Sequence, residues 1–488
     1  MISQKNAYRY DLQGLRAIAV LLVVAAHSNS SILQGGFIGV DLFFVLSGYL
    51  ITGLLLSEVT QKGDILMFRF YARRLKRLLP ALLCVMSVTA ILASWLLSGV
   101  EAREQLASAS YAATWTSNFY FLFSNFDYFD ELAGRDLFLH TWSLGVEEQF
   151  YLIWPLLLWF ALSSVKRNVV GEQAANRLLF IFLIALLIVS LILSIYWTIN
   201  MPRAGYYLMP SRIWQFTLGA CVYLGTRQLA ENKKLFNYCR IDICAKVSLV
   251  LGLILIFLSA VLMGPDISYP GYWAIFPSLG AGLLIFSGSI VDDSQKNILG
   301  HPVMAWLGDH SYSLYLWHWP ILMLGFSMGF QGNVQATVGM LLLSLLASMF
   351  TYRYVELPFW KGRWSSVLPG RIILISILAM SISLFALDQL RRQLPDVEAT
   401  TDISYKWRFD VPAIYFQTCD AWYHHSRVEP CYFGSDDAEN NIVLLGDSVG
   451  AQWFSMIPEI FPQSEWRTTV YTKSSCPVVD EDWFYSRI

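Results

Sequence analysis

Charge is what this 488-residue sequence has least of: Asp, Glu, Lys and Arg make up 14% of it, where soluble domains carry roughly 25%. That shortage excludes an ordinary soluble chain and an intrinsically disordered one. The formal net charge of −2 says nothing about partners, and there is no basic domain of the kind that holds nucleic acid. Cysteine is scarce as well, with seven residues. Cys239 and Cys244 lack the second pair of ligands that a zinc site needs, the histidines are scattered, and no metal is expected. Internal repeats, common in secondary transporters, are also missing.

What is present is apolar sequence, 56% of all residues, with a mean hydropathy of +0.47. The 15% of aromatic residues suits interfacial belts of Trp and Tyr. A membrane helix needs about 20 apolar residues. Eleven stretches qualify, near 13–30, 37–57, 78–98, 144–163, 178–198, 206–226, 246–264, 272–290, 311–329, 334–353 and 371–390. No small-residue cleavage site follows the first, so it reads as a retained helix and not as a signal peptide. Lys and Arg concentrate in 58–77, 165–177, 227–246 and 353–371, whereas 28–36, 264–272 and 328–334 hold none. The positive-inside rule then puts the N-terminus in the cytoplasm and everything after about residue 391 outside.

The expected architecture is an all-α polytopic membrane protein, with about ten core helices in 8–360 and one linking helix at 371–390. A polar linker, 391–437, leads to "NIVLLGDSVGAQW", a strand, a turn and a helix that open a small α/β domain at 438–488. Cys419, Cys431 and Cys476 lie in this outer part, where disulfides persist. Cys419 and Cys431 are candidates to close a short loop, which leaves Cys476 without a mate.

The ionisable residues inside the spans carry the functional argument, because such residues are costly in a bilayer and are rarely placed there without a task. "LRAIAVLLVVAAHSN" is bracketed by Arg16 and His27. Eleven residues are three turns plus about 20°, so the two share a helix face about 16 Å apart. In one reading Arg16 snorkels to the interface and His27 caps the helix. In the other, the Gly-rich turn 35–39 folds the next helix back and brings Asp41 to the depth of His27. A carboxylate there would fix the imidazole tautomer and raise its basicity, as a general base acting on a hydroxyl requires. A structural ion pair is the alternative for the same two residues.

Arg69 and Arg73 sit four apart on one helix face and suit bidentate binding of phosphate; a topology signal is the competing reading, and Arg74, Lys76 and Arg77 are expected to serve that role. Glu147 and Glu148 fall in the first turns of a helix, where the dipole favours anions. They point about 100° apart, so one of them faces the site, and Glu147 is preferred. His140 and Trp142 are expected at an acceptor mouth. His318, midway along a span, fits either a channel or a buried hydrogen bond. Arg212 is an internal charge with no assigned role.

In order and spacing, Arg16-x10-His27, "GGFIGVDLFFVLSGYLI", "FRFYARRLKRLLP", "HTWSLGVEEQFYLIWP" and "YSLYLWHWP" resemble the membrane-bound acyltransferase family 3, over about residues 8–360. The resemblance implies a bacterial O-acyltransferase of cell-envelope sugars, with the basic-x10-His motif as catalytic core and the family's R-x3-R motif on Arg69 and Arg73. "YRYVELP" resembles its Tyr-x-Glu-Pro signature at Tyr354 and Glu356, with Leu357 intruding before Pro358. "LLGDSVGAQW" resembles the first block of the SGNH hydrolase fold and would deliver Ser448 at a strand-to-helix turn. Such a site also needs an Asp-x-x-His, and no histidine follows Ser448. The expectation is a partial SGNH-like domain, with Ser448 acting only in a complete one.

The function implied is transfer of an acetyl group from cytoplasmic acetyl-coenzyme A, across a bacterial inner membrane, to a hydroxyl of an extracytoplasmic glycan, with lipopolysaccharide O-antigen first in line. The lipid bilayer and the glycan are the expected partners. His27 would be the base, Asp41 its orienting group, and Arg16 or backbone groups the oxyanion donors. Peptidoglycan or a secreted small molecule are alternative acceptors. A polytopic transporter using Arg16, Glu147 and His318 as a relay is the rival class.

Overall fold

A computed structural model describes residues 8–28, 33–124, 136–167, 172–231, 238–264, 267–290, 298–394, 414, 430–435, 438 and 440–472. The chain divides into two units, Met1–Pro395 and Asp396–Ile488, each considered by itself.

Every one of the eleven apolar stretches lies on a helix of the first unit. Seven described helical segments are long and apolar enough to cross a membrane: Tyr10–His27, Gln34–Lys62, Met67–Leu96, Arg177–Asn200, Asp242–Leu262, Val334–Lys361 and Pro369–Gln393. This is fewer than the eleven expected. Ile275–Ile290 is apolar but shorter. The stretch at 144–163 lies within Trp142–Arg167, and those at 206–226 and 311–329 lie mostly on Ile213–Glu231 and Pro302–Gly325, but their apolar runs are interrupted by polar residues such as Glu147, Gln215 and His318.

Label α1 as Tyr10–His27, α2 as Gly39–Lys62, α3 as Met67–Leu96, α4 as Gly99–Ala113, α5 as Ser117–Phe123 and α6 as Trp142–Arg167; then α7 as Glu172–Asn200, α8 as Pro202–Tyr207, α9 as Ile213–Glu231, α10 as Tyr238–Leu262, α11 as Ile275–Ile290, α12 as Pro302–Gly325, α13 as Val334–Thr351, α14 as Leu357–Lys361 and α15 as Pro369–Gln393. Local chemistry fixes several ends. Gly63 takes a left-handed conformation (φ 82°) and its N–H closes α2 on Val59. Ser98 and Glu101 form a reciprocal capping box at the start of α4. Pro302 starts α12, where its missing N–H costs nothing.

The spanning window of α2 is 83% buried, against 22% for Val334–Lys361 and 17% for α15. So α2 is a central helix, while α13 and α15 turn Leu346, Phe350, Ile382 and Phe385 outward, as lipid-facing surfaces do. Bilayer lipid gives helices little hydrophobic reason to associate, and close packing through small residues takes over. A Cβ on Gly48 of α2 would stand 1.8 Å from the Phe216 carbonyl oxygen of α9, and one on Gly219 of α9 would stand 2.0 Å from that of Val45. The two backbones therefore touch. The same holds between α1 and α12, where a Cβ on Gly308 would meet the Gln13 carbonyl oxygen at 2.0 Å.

In the second unit a three-stranded sheet has the order β1 (Cys431–Phe433), β3 (Trp466–Thr472), β2 (Asn440–Gly446). β2 runs parallel to β3, and β1 antiparallel to it. Asp447 caps a short helix, Ser448–Gln452, by accepting from the N–H groups of Val449 and Gly450, so the expected strand, turn and helix are all present. Ile414, Ala451, Phe454 and Val470 form its core. Cys431 is held in a disulfide. Cys419, Cys476, His424 and His425, and the Ser448 side chain, lie outside the described residues.

A tight backbone contact tolerates no added bulk, and overpacking costs about 1–3 kcal/mol or more. Gly48→Leu should lower the thermal midpoint of the detergent-solubilised protein by several degrees. Gly225→Leu, at a position where a Cβ meets nothing within 4 Å, should leave it unchanged. Equal midpoints for the two variants would show that the α2–α9 contact is not tight.

Candidate active site

Three histidines gather at one end of the helical unit. His27 ends α1, His318 lies in the later half of α12, and His140 sits in a 3-10 turn, Leu139–Thr141, that leads into α6. His27 Nδ1 lies 2.9 Å from His318 Nε2. His318 Nδ1 lies 3.1 Å from the Leu314 carbonyl oxygen. The His140 ring stands 5.7 Å from that of His318, centroid to centroid. Neither His140 ring nitrogen reaches a hydrogen-bond partner, although the Leu316 carbonyl is close enough to act on it electrostatically. That carbonyl has no helical donor four residues on, because residue 320 is proline. Trp319 packs edge-on against His27 at 4.4 Å, and its indole N–H donates to the Asp136 carbonyl at 2.7 Å. The Asp136 carboxylate, in the loop before the His140 turn, accepts from Ser108 Oγ and the Phe138 N–H; burial lifts this carboxyl to about 7.

Next to the cluster lies a cavity of about 90 Å³. Arg16 from α1, Arg74 and Arg77 from α3, Ser47 from α2, and Ser143, Glu147 and Tyr151 from α6 line it, together with Tyr315 from α12. Ser47 and Tyr151 both donate to the Glu147 carboxylate. The Arg74 guanidinium lies over the Tyr151 ring at 5.1 Å, and that of Arg77 over Trp360 at 4.6 Å. Toward the histidines the lining ends at Tyr315 and Ser143, whose hydroxyls are 2.6 Å apart. Tyr315 also donates to the His140 carbonyl at 2.8 Å. One layer of hydroxyls thus separates an arginine-lined cavity from three imidazoles.

The three histidines and the named lining residues of the cavity all fall within 9–353, the stretch that matches the family model described as an acyltransferase domain. The chain belongs to that acyltransferase family. It is 34% identical over 368 residues to the O-acetyltransferase OatA of Staphylococcus aureus (strain NCTC 8325 / PS 47), a match covering 72% of this chain and 57% of OatA. It is 29% identical over 489 residues to SAR0937 of S. aureus strain MRSA252, a protein provisionally named as an O-acetyltransferase, covering 93% of this chain and 77% of the relative. The chain spans little more than half the length of OatA. No solved structure matches.

Within this acyltransferase domain several expected roles move. Asp41 does not orient His27. Its carboxylate is bound by Gln215, by the Tyr269 hydroxyl and by Arg212 at 3.2 Å. The reason is helical phase: Asp41 lies on the face of α2 that packs against α9 and α11, not on the face toward α1. This also gives Arg212 its task. Both partners are 1% exposed, and the guanidinium lies among Trp142, Tyr206 and Tyr269 at 5.2–5.7 Å. Trp142 therefore belongs to this ion pair and not to an acceptor mouth. The group that meets His27 is His318.

Arg16 stands at the far end of the cavity, beside Arg74 and Arg77. Eleven residues of α1 hold it about 16 Å from His27, too far to stabilise an oxyanion there. Arg69 and Arg73 are exposed, and Arg73 pairs with Glu58 at 3.6 Å. It is Arg74 and Arg77 that face the cavity, three apart on the next face of α3; sequence reasoning had left them as topology signals. Glu147 lines the cavity, as preferred over Glu148. Glu356 is buried and accepts from Ser313 Oγ at 3.0 Å, whereas Tyr354 is 65% exposed. Ser47, Ser143, Tyr151 and Tyr315 were missed. The period of α6, with 143, 147 and 151 on one face, was the signal that could have found Ser143 and Tyr151.

Removing one member of a buried ion pair costs about 3–5 kcal/mol because the other is left uncompensated. Asp41→Ala should therefore lower the thermal midpoint sharply, and Asp41→Leu combined with Arg212→Met should recover most of the loss. If the double substitution is no better than the single one, the pair is not what Asp41 serves.

Proposed function

We propose that this protein is an O-acyltransferase of the bacterial inner membrane, which moves an acyl group, acetyl first among them, from cytoplasmic acyl-coenzyme A to a hydroxyl of an extracytoplasmic envelope glycan. The observation that carries the reading is the adjacency of the arginine-lined cavity and the histidine cluster. The cavity offers three guanidinium groups to an anionic donor, and guanidinium binds phosphate oxygens in pairs. The basic segments at the Arg16 end support a cytoplasmic location for that end under the positive-inside rule, and coenzyme A is found there. The His27 end then faces the acceptor.

In this reading the acyl arm of the donor runs through the cavity past Glu147 and Tyr315 to the imidazoles. His27 Nε2 takes the proton of the acceptor hydroxyl as its oxygen bonds to the thioester carbonyl carbon. The carbon–sulfur bond then breaks, and the departing sulfur takes the proton from the imidazolium. His140 stands beside the reacting groups. Arg69 and Arg73 form an outer basic surface through which the donor approaches, with Arg16, Arg74 and Arg77 as the inner grip.

The names of the staphylococcal relatives support O-acetylation. Lipopolysaccharide O-antigen remains our first acceptor and peptidoglycan the second. The strand, turn and helix of the second unit support an SGNH-like domain opening at 438, in which Ser448 would relay the acyl group when the rest of such a domain is joined to it.

Two outcomes test the reading. General base catalysis contributes about 100- to 10,000-fold, so His27→Ala should abolish acylation of envelope polysaccharide, read by mass spectrometry, at wild-type protein levels. Wild-type acylation by that variant would overturn the role of His27, and an unchanged glycan mass with and without the gene would overturn the acyltransferase reading. For the donor, a charge-assisted hydrogen bond contributes about 1.5–3 kcal/mol. Arg74→Ala and Arg77→Ala should each weaken coenzyme A binding by about tenfold or more, and Arg69→Ala by less. The reverse order would place the donor on the outer surface.

A further inference from the structure

We propose that His318 is a positioning residue that fixes which nitrogen of His27 is basic, by passing on the direction of its own hydrogen bond to the Leu314 carbonyl. The proposal rests on the reading of His27 as general base. A carbonyl oxygen can only accept, so His318 Nδ1, 3.1 Å from the Leu314 oxygen, carries a proton. His318 is 0% exposed, and no carboxylate among the described residues bonds to it, so a charged ring there would be uncompensated. It is therefore neutral, with one ring proton, and its Nε2 is an acceptor.

That acceptor lies 2.9 Å from His27 Nδ1. The two rings are parallel to within 3° with centroids 5.2 Å apart. This separation is the N–N distance plus the two ring radii, so the imidazoles lie edge to edge in one plane and not face to face. The hydrogen bond runs along the in-plane lone pair, the direction that makes it strongest. His27 Nδ1 is the donor, and Nε2 is left as the basic nitrogen of the neutral ring. The order is Leu314 carbonyl, His318, His27, and the tautomer of each ring dictates that of the next.

The role is the one a carboxylate has in a Ser-His-Asp triad, where the partner holds the imidazole in its working tautomer and orientation. Here the partner is uncharged, so no buried anion has to be maintained beside the site when His27 is neutral. When Nε2 takes a proton, His318 Nε2 goes on accepting from the His27 Nδ1–H. The ionisable groups that face His318 are His27 from α1, His140 from the turn before α6 and Tyr315 on its own helix. Asp136 is engaged with Ser108 and the Phe138 N–H.

The test uses the full chain in lipid bilayers with 15N-labelled histidine. Solid-state nitrogen spectra, assigned by the signals lost in His27→Gln, should show a protonated Nδ1 and a bare Nε2 on His27. His318→Phe keeps an aromatic ring but no acceptor and should give mixed tautomers. His318→Gln, whose amide oxygen accepts from Nδ1–H, should restore the single tautomer. In transfer assays His318→Phe should lower kcat by about 100-fold, within the range for a general base, leave KM within about twofold and displace the acidic limb of the pH profile; His318→Gln should return to within about tenfold of wild type. A wild-type His27 protonated on Nε2, a tautomer unmoved by His318→Phe, or an unchanged kcat for that variant would each overturn the proposal. The spectra are read without turnover, so failure of the acyltransferase reading, seen as full transfer by His27→Ala, is separable from failure of this one.

Discussion

The bare backbone contact between α1 and α12 is the constraint on which the site depends. Gly308 of α12 lets the two helices approach until a Cβ would strike the Gln13 carbonyl oxygen, and Gly14 of α1 does the same against Leu299 in the turn before α12; contacts of that kind fix rotation as well as distance. A helix turned by a single residue swings its side chains through about 100°. His27 and His318 are 291 positions apart in sequence, yet they meet in one plane because glycines two turns and more away set the phase of both helices. α2 and α9 are joined in the same manner, and their phase brings Asp41 and Arg212 together.

Scarcity of charge gives each charged group in the bundle a definite place. Arg212 is neutralised by Asp41 and enclosed by aromatic faces; the pair is far from water and serves the packing of α2, α9 and α11. Arg16, Arg74 and Arg77 share one cavity, where three like charges in a low-dielectric setting repel one another unless an anion joins them. Glu147, held by two hydroxyls, is the nearest negative group in the lining. The histidines sit apart from both sets. Imidazole is the side chain that can be neutral at rest and charged in passing, which suits a place where a permanent charge would be costly.

The membrane class and a helix at each of the eleven apolar stretches were legible in the sequence, in which His27, Glu147 and His318 also stood out, because hydropathy and isolated polar residues are local signals; the less apolar α4 and α5, in a stretch that reads as a loop, were not. The partners were not. Asp41 was matched to His27 by depth along the chain, but depth says nothing of rotation, and α9 could not be placed around α2 from spacing alone. Arg74 was set aside in favour of Arg69 and Arg73 because a basic run looks uniform until a neighbouring helix selects one of its faces. Of the eleven stretches, those on α6, α9 and α12 fall short of a spanning composition because polar residues such as Glu147, Gln215 and His318 interrupt their apolar runs.

The Ser143–Tyr315 layer has an energetic meaning for the cell. A membrane that stores a proton gradient cannot tolerate a continuous polar path, and a channel lined by arginines at one end and histidines at the other would pass anions and relay protons. Two hydroxyls joined to each other, with one of them tied to the His140 carbonyl, interrupt the charged lining between the arginine end and the histidine end. In the proposed reaction an acyl arm that runs from the arginines to the histidines would have to part these two hydroxyls, and it would then fill the gap between them.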